Sequence, residues 1–307
     1  MIKKETILLL FAFAFTSCLE VALEPLPDKG EVSVSLRWAE APAPERVTYV
    51  FYPATGLPVT FDGGGSAFTG ELPASTYRML AYESGVEGVN FTGLDSYATA
   101  AVSARALPSA RSEVRLVAQP GRFFSGSLEG LVVHPLDTVR TGTAARQLTR
   151  SLTLTFNLSE VAGVDELEGT LCGVYPSALL ATGEPSLESV ASAPSVGTAF
   201  GASTNMERKV AVTVRFLGLR NPEGGAVYTN TLGLTLKGAD GWRQHTSVDL
   251  TRALTDVFAV GGDKLAFEIP TNIEVKVEPT PVSLVATVVG WTLGEGGGEI
   301  DYVYPKN

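Results

Sequence analysis

Apolar residues recur at every second position along most of this chain. Val32, Val34, Leu36 and Trp38 alternate with polar neighbours in "VSVSLRW", and Leu152, Leu154, Phe156 and Leu158 do so in "SLTLTFNL". The same period runs through "KVAVTVRF", with Val210, Val212, Val214 and Phe216, and through "NIEVKVE", with Ile273, Val275 and Val277. A period of two puts one row of side chains on each face of a strand, so these segments predict half-buried strands of the kind antiparallel sheets use. Between them lie "PATG", "DGGGS", "NPEGG", "KGADGW", "VGGDK" and "GEGGG", where Gly supplies positive φ and Asp or Asn closes its own turn. Helical spacing is confined to "LSEVAGVDELEG", with Ser159 as cap, and "SVDLTRALTDVF", with Asp249 or Ser247 as cap. The pattern predicts an all-β protein built of Greek-key sandwiches.

One apolar run breaks the alternation. Lys3 and Lys4 precede a continuous stretch from Ile7 to Phe15, followed by the small residues Thr16 and Ser17 and then Cys18. The run is shorter than the roughly 20 apolar residues that span a bilayer, and it has the layout of a signal peptide. Phe15-Thr16-Ser17-Cys18 resembles a bacterial lipobox, which implies cleavage between Ser17 and Cys18 and acylation of the Cys18 sulfur. More than one acyl chain on that sulfur holds a protein firmly to a membrane. Pro25 and Pro27 in "LEVALEPLPDKG" mark the following residues as a tether.

Composition narrows the function. The 307 residues carry 33 acidic against 23 basic side chains, a formal net charge of −10, and removing residues 1 to 17 leaves the chain more acidic still. Such a surface does not suit nucleic acid or anionic lipid. With Cys18 acylated, Cys172 is the remaining thiol, so no disulfide forms within the chain, and its setting in "EGTLCGVYP" is that of a buried, inert cysteine. His134 and His245 lie far apart without a ligand pattern, and neither a metal nor another cofactor is expected. A Gly-x-Ser-x-Gly elbow, a calcium loop and a phosphate cradle are all missing from the sequence, and no catalytic residue is assigned.

A change of pattern at "AQPGR", residues 118 to 122, divides the chain into a signal peptide (1–17), a lipidated tether (18–30), an N-terminal sandwich (31–119) and a C-terminal sandwich (120–307). The lipobox, the segments "VSLRW", "VTYVFYPATG" and "GELPASTYRMLAYE", and the later "VAGVDELEGTLCGVYPSALLATGEP" together resemble the fimbrillin-like anchor lipoproteins of the Bacteroidia. The resemblance spans nearly the whole mature chain and rests on strand and turn patterns. It implies two tandem transthyretin-like Greek-key sandwiches and a lipoprotein of the outer membrane, surface-exposed, serving type V fimbriae as an anchor or accessory adhesin subunit. The implied partners are the membrane, through the lipid, and fimbrillin-like subunits, through strand edges or a groove.

Several residues carry finer expectations. Shaft subunits of that family are cut after an arginine in the first domain, and here Arg37 and Arg46 are the early arginines; both read as ordinary polar positions. Asp137-Thr138-Val139 resembles the sequence at which Bacteroidia attach O-glycans, which implies Thr138 as a candidate modification site; the alternative is an ordinary loop threonine. Glu20 and Glu24 are similar to the acidic signal that sends such lipoproteins to the cell surface. The final hairpin, whose last arm carries Ile300, Tyr302 and Tyr304, reads as an ordinary terminal hairpin or, alternatively, as an edge that pairs with or is exchanged for a strand of a neighbouring subunit. The alternative reading is a surface glycan-binding lipoprotein, for which Trp242, in a turn, is the aromatic platform.

Overall fold

The structure, a computed structural model, describes residues 28–38, 42–108, 114–186, 195–204, 207–220, 230–265, 271–293 and 300–303. The signal peptide, Ser17, Cys18, Glu20, Glu24 and Tyr304 lie outside these residues.

The first five strands, β1 (Lys29–Trp38), β2 (Val47–Pro53), β3 (Val59–Gly63), β4 (Ala67–Pro73) and β5 (Ser75–Glu83), follow the alternating pattern. Val32, Val34, Leu36 and Trp38 all turn inward, and the buried Trp38 indole donates from Nε1 to the Gly65 carbonyl at 2.5 Å. β2 is buried along nearly its whole length because both of its faces are covered. Tyr49 and Phe51 join Val34, Phe68 and Met79 in one core, while Val50 and Tyr52 point into a second, larger core.

The chain then makes an excursion through β6 (Val89–Thr92), β7 (Ala101–Ala104) and β8 (Val114–Val117), and returns as β9 (Phe124–Val133) and β10 (Thr138–Gln147). These last two strands enter the first sheet, whose order is β3-β2-β5-β9-β10-β1-β4. The division expected between residues 119 and 120 therefore cuts through chain belonging to one sheet. Its completing strand, β10, runs parallel to β1 with Glu31 opposite Thr138. Parallel pairing joins residues remote in sequence, so the composition shift at 118–122 marks a loop within this sheet's path and not its end.

The remaining strands are β11 (Arg150–Asn157), β12 (Val164–Cys172), β13 (Ser177–Leu179), β14 (Ser195–Ser203), β15 (Lys209–Phe216), β16 (Thr231–Gly238), β17 (Arg243–Asp249), β18 (Thr271–Pro279), β19 (Leu284–Leu293) and β20 (Ile300–Val303). They build two five-stranded sheets, β15-β11-β18-β19-β20 and β17-β16-β12-β14-β8, and β13 joins β7 and β6. Leu152, Leu154, Phe156, Ile273, Val275 and Val277 from the first of these sheets share one core with Leu167, Leu171, Leu232, Leu234 and Leu236 from the second. At about 25 cal/mol per Å² of apolar surface removed from water, this double row is the main source of stability in the second half. Two further pairs are parallel, β11 with β18 and β14 with β8, where alternation had suggested antiparallel neighbours.

One helix, α1 (Thr251–Leu265), occurs among the described residues. Asp249 caps it, its Oδ1 accepting from the Thr251 N–H at 2.8 Å, and Ala253, Leu254, Val257 and Phe258 bury its apolar face. The helix runs on through the "VGGDK" expected to be a turn; tertiary packing of the preceding apolar face outweighs the roughly 1 kcal/mol that each glycine costs. The other expected helix, "LSEVAGVDELEG", is not one. Asn157 Oδ1 accepts from the Ser159 N–H at 3.1 Å, Gly163 takes φ +70, and residues from Val164 onward pair with both β14 and β16 as a central strand.

Candidate functional site

Three places draw attention: an open strand edge, a trough on the outside of a sheet, and the end of the first sheet where the described chain begins. The edge follows from register. β20 pairs with only Gly290 to Leu293 of the ten-residue β19, so among the described residues the stretch from Leu284 to Val289 has ladder pairing on its β18 side alone, with β17 packed close to β19 but not paired with it. Val285 on that stretch is 46% exposed, and such an edge is a template for strand addition.

The trough lies on the outer face of β8-β14-β12-β16-β17, has a volume of ≈ 1120 Å³ and is floored by small residues including Ala199, Gly201 and Gly233. Glu168, His245 and Ser247 supply polar groups on one side, and Val114 and Leu116 an apolar border on the other. His245 Nδ1 shares a hydrogen bond with the Thr235 hydroxyl at 2.8 Å. Cys172 faces this trough but is 8% exposed, and burial pushes its thiol up, with a Thr231 hydrogen bond opposing in part. A thiol held protonated is a poor nucleophile, which suits a packing role. Lys237, at the trough's end, bridges Glu166 at 3.2 Å and also Glu168, and these hydrogen bonds raise its pKa.

The structure disperses the residues singled out in the sequence. Thr138 opens β10, is exposed, and receives a local brace from Asp137, whose Oδ1 accepts the Thr138 N–H at 2.8 Å; its hydroxyl donates to Glu31 Oε2 at 3.2 Å. Trp242 is not a free platform. Its indole lies directly on Gly238 and packs against the core, because the hairpin between β16 and β17 folds it back over a residue without a side chain. Trp38 and Trp291 are buried. Arg37 and Arg46 are both exposed, one in β1 and one in the loop before β2. Among the described residues no group of three His, Cys, Asp or Glu side chains converges as a metal site would require. The trough was not anticipated from sequence; the small outward residues of β12, β14 and β16 were its only signal.

The architecture is that of an all-β, multi-sheet protein. Solved structures share it over most of the chain. A candidate adhesin from Bacteroides ovatus superposes with a TM-score of 0.57 at 15% identity, covering 74% of this chain and 84% of its own. The fimbrial anchor protein Mfa2 from Porphyromonas gingivalis gives 0.56 at 14% identity, over 90% of this chain and 100% of that one. A candidate polysaccharide-binding protein from Bacteroides thetaiotaomicron gives 0.55 at 12% identity, over 89% and 98%. No protein-family model and no curated protein matches the sequence. At these identities the likeness is one of fold.

Proposed function

We propose that this protein is a non-catalytic outer-membrane lipoprotein that serves a fimbria as anchor or accessory adhesin subunit. The observation that carries the reading is fold likeness to a fimbrial anchor protein over 90% of this chain and the whole of the other. The sequence supports the attachment: cleavage after Ser17 exposes Cys18, whose sulfur takes the lipid. The unpaired edge of β19 supports the mode of partnership, in which a strand of another β-rich subunit pairs with Leu284 to Val289. Modification of the exposed Thr138 is part of the same reading, since a glycan there would stand clear of both cores.

The test compares wild type with Cys18→Ala in the native cells after mild shearing. Wild-type chain retained on membranes with a set of fimbrillin-like subunits, and shedding of both in Cys18→Ala, is the expected result. A membrane-bound chain without such partners removes the fimbrial role. Glycopeptide mass spectrometry on wild type and Thr138→Ala decides the modification.

A second reading, a surface glycan-binding lipoprotein, draws support from the trough, whose polar side suits sugar hydroxyls. The packed position of Trp242 weakens it. Binding of soluble oligosaccharides that Glu168→Ala and His245→Ala abolish would favour it.

A further inference from the structure

The exposed large apolar side chains of the first sheet are gathered at one end. Leu57 is 85% exposed, Val132 44% and Leu136 65%. Register places them together: Pro53 at the end of β2 is opposite Tyr77, Thr76 is opposite Val132, and the Ala54 N–H donates to the Thr76 carbonyl at 2.9 Å. Leu57 caps the hairpin that leaves β2 at this end, and Leu136 caps the turn that leaves β9. Leu136 is also the one non-glycine among the described residues with positive φ, at 60°, a conformation that branched and bulky L residues rarely adopt. A leucine held in that conformation with most of its side chain in solvent is a candidate for a function outside the fold.

The described chain enters at this same end. The Leu136 N–H donates to the Lys29 carbonyl at 2.8 Å, and the Ala74 N–H to the Asp28 carbonyl at 2.7 Å. Asp28 follows Cys18 by ten residues, a tether that reaches at most about 35 Å when fully extended. If Cys18 carries the lipid, as the proposed function holds, this is the end at which the chain coming from the lipid joins the first sheet. We propose that Leu57, Val132 and Leu136 form an apolar foot that rests in the interfacial layer of the membrane and fixes the orientation of the tethered protein. The charges at this end are mostly acidic, with Asp28, Glu31, Glu71 and Asp137 about the start of β1 and Asp95 beside the Leu57 hairpin, against Lys29 and Arg78, so the contact is apolar and suited to zwitterionic headgroups, without attraction to anionic ones.

The test uses full-length lipidated protein reconstituted in phosphatidylcholine vesicles whose acyl chains are brominated near the headgroup. Tryptophan is introduced by Leu136→Trp, by Leu57→Trp at an already exposed hairpin tip, and by Glu45→Trp in the exposed loop at the opposite end of β2. Bromine should quench the first two about twofold more than the third, since side chains of an interfacial contact sit about 5–10 Å into the headgroup and acyl boundary. Equal quenching at all three sites, in protein whose acylated Cys18 is verified by mass spectrometry, overturns the foot and leaves the anchor intact. An unacylated Cys18 overturns both.

Discussion

The backbone N–H of Leu136 donates to the carbonyl of Lys29, fastening the turn between β9 and β10 to the first strand of the protein. The bond joins the place where the tether arrives to the one left-handed non-glycine residue described, and it holds without using the leucine side chain. Replacing Leu136 by Gly should therefore keep the bond and relieve the strained φ. A left-handed L residue costs about 1–2 kcal/mol, part of which returns as backbone entropy in the unfolded glycine variant. Leu136→Gly should be more stable by about 0.5–1 kcal/mol in urea unfolding; a destabilised variant would mean that the side chain packs against something.

Gly30 sits on the other side of the same junction. A Cβ there would press on the His134 carbonyl and meet the Asp137 carbonyl at 3.0 Å, both backbone groups. Gly30→Ala should push the turn off β1 and cost about 1–3 kcal/mol, the usual range for overpacking. Gly64, whose Cβ would meet nothing within 4 Å, is the matched control, and Gly64→Ala should change stability little.

Alkaline stability should depend on buried phenols. Burial pushes Tyr49 and Tyr52 up to about 12 from an ordinary 10.0, with Tyr82, Asp95 and Tyr97 adding to the effect at Tyr52. Below pH 10 both the folded and the unfolded chain keep these phenols neutral, and their contribution is fully present. Between pH 10 and 12 the unfolded chain loses protons that the folded chain retains, so stability falls, by of order 2 kcal/mol for each group. Tyr49→Phe should flatten that fall by its share. At neutral pH it should cost about 1 kcal/mol for the lost bond to the Gly64 carbonyl, which Tyr49 makes at 2.7 Å.

Asp249 holds the start of α1, accepting from both the N–H and the hydroxyl of Thr251. Asp249→Ala should cost about 1 kcal/mol and lower the helical signal in circular dichroism, whereas Asp249→Asn, which keeps an acceptor oxygen, should cost a few tenths.

The edge of β19 predicts an effect on assembly alone. Val285 is half-exposed and lies where no described strand pairs with β19 on the side away from β18. Val285→Lys should alter the stability of the isolated chain by less than about 0.5 kcal/mol. It should also abolish co-isolation with the partner subunit, because a lysine on an edge opposes strand addition. Retained assembly would place the joint elsewhere.

Strand identity was legible from local alternation. Val32 to Trp38, Leu152 to Leu158 and Ile273 to Val277 face inward because a period of two allows only one set of side chains to be buried at a time. The start of the helix was legible for the same reason, with Asp249 or Ser247 as its cap, and the structure selects Asp249, whose partner lies two residues away. The resemblance to fimbrial anchor proteins rested on this succession of strands and turns, and the fold likeness follows it. The lipid expected at Cys18 rests on sequence alone, on the residues directly before it, and Cys18 lies outside the described residues.

Only the tertiary structure decided which strands share a sheet. β10 lies against β1, with Thr138 opposite Glu31, although 107 residues separate them. The "VDELEG" segment, helical by local spacing, became the central strand β12 because partners waited on both sides. Trp242 looked like a platform in a turn and is instead folded onto Gly238. The gathering of Leu57, Val132 and Leu136 at the tether's end has the same origin. A local pattern records which face of a segment avoids water, whereas neighbours brought together by long-range pairing are chosen by the free energy of the whole packed core.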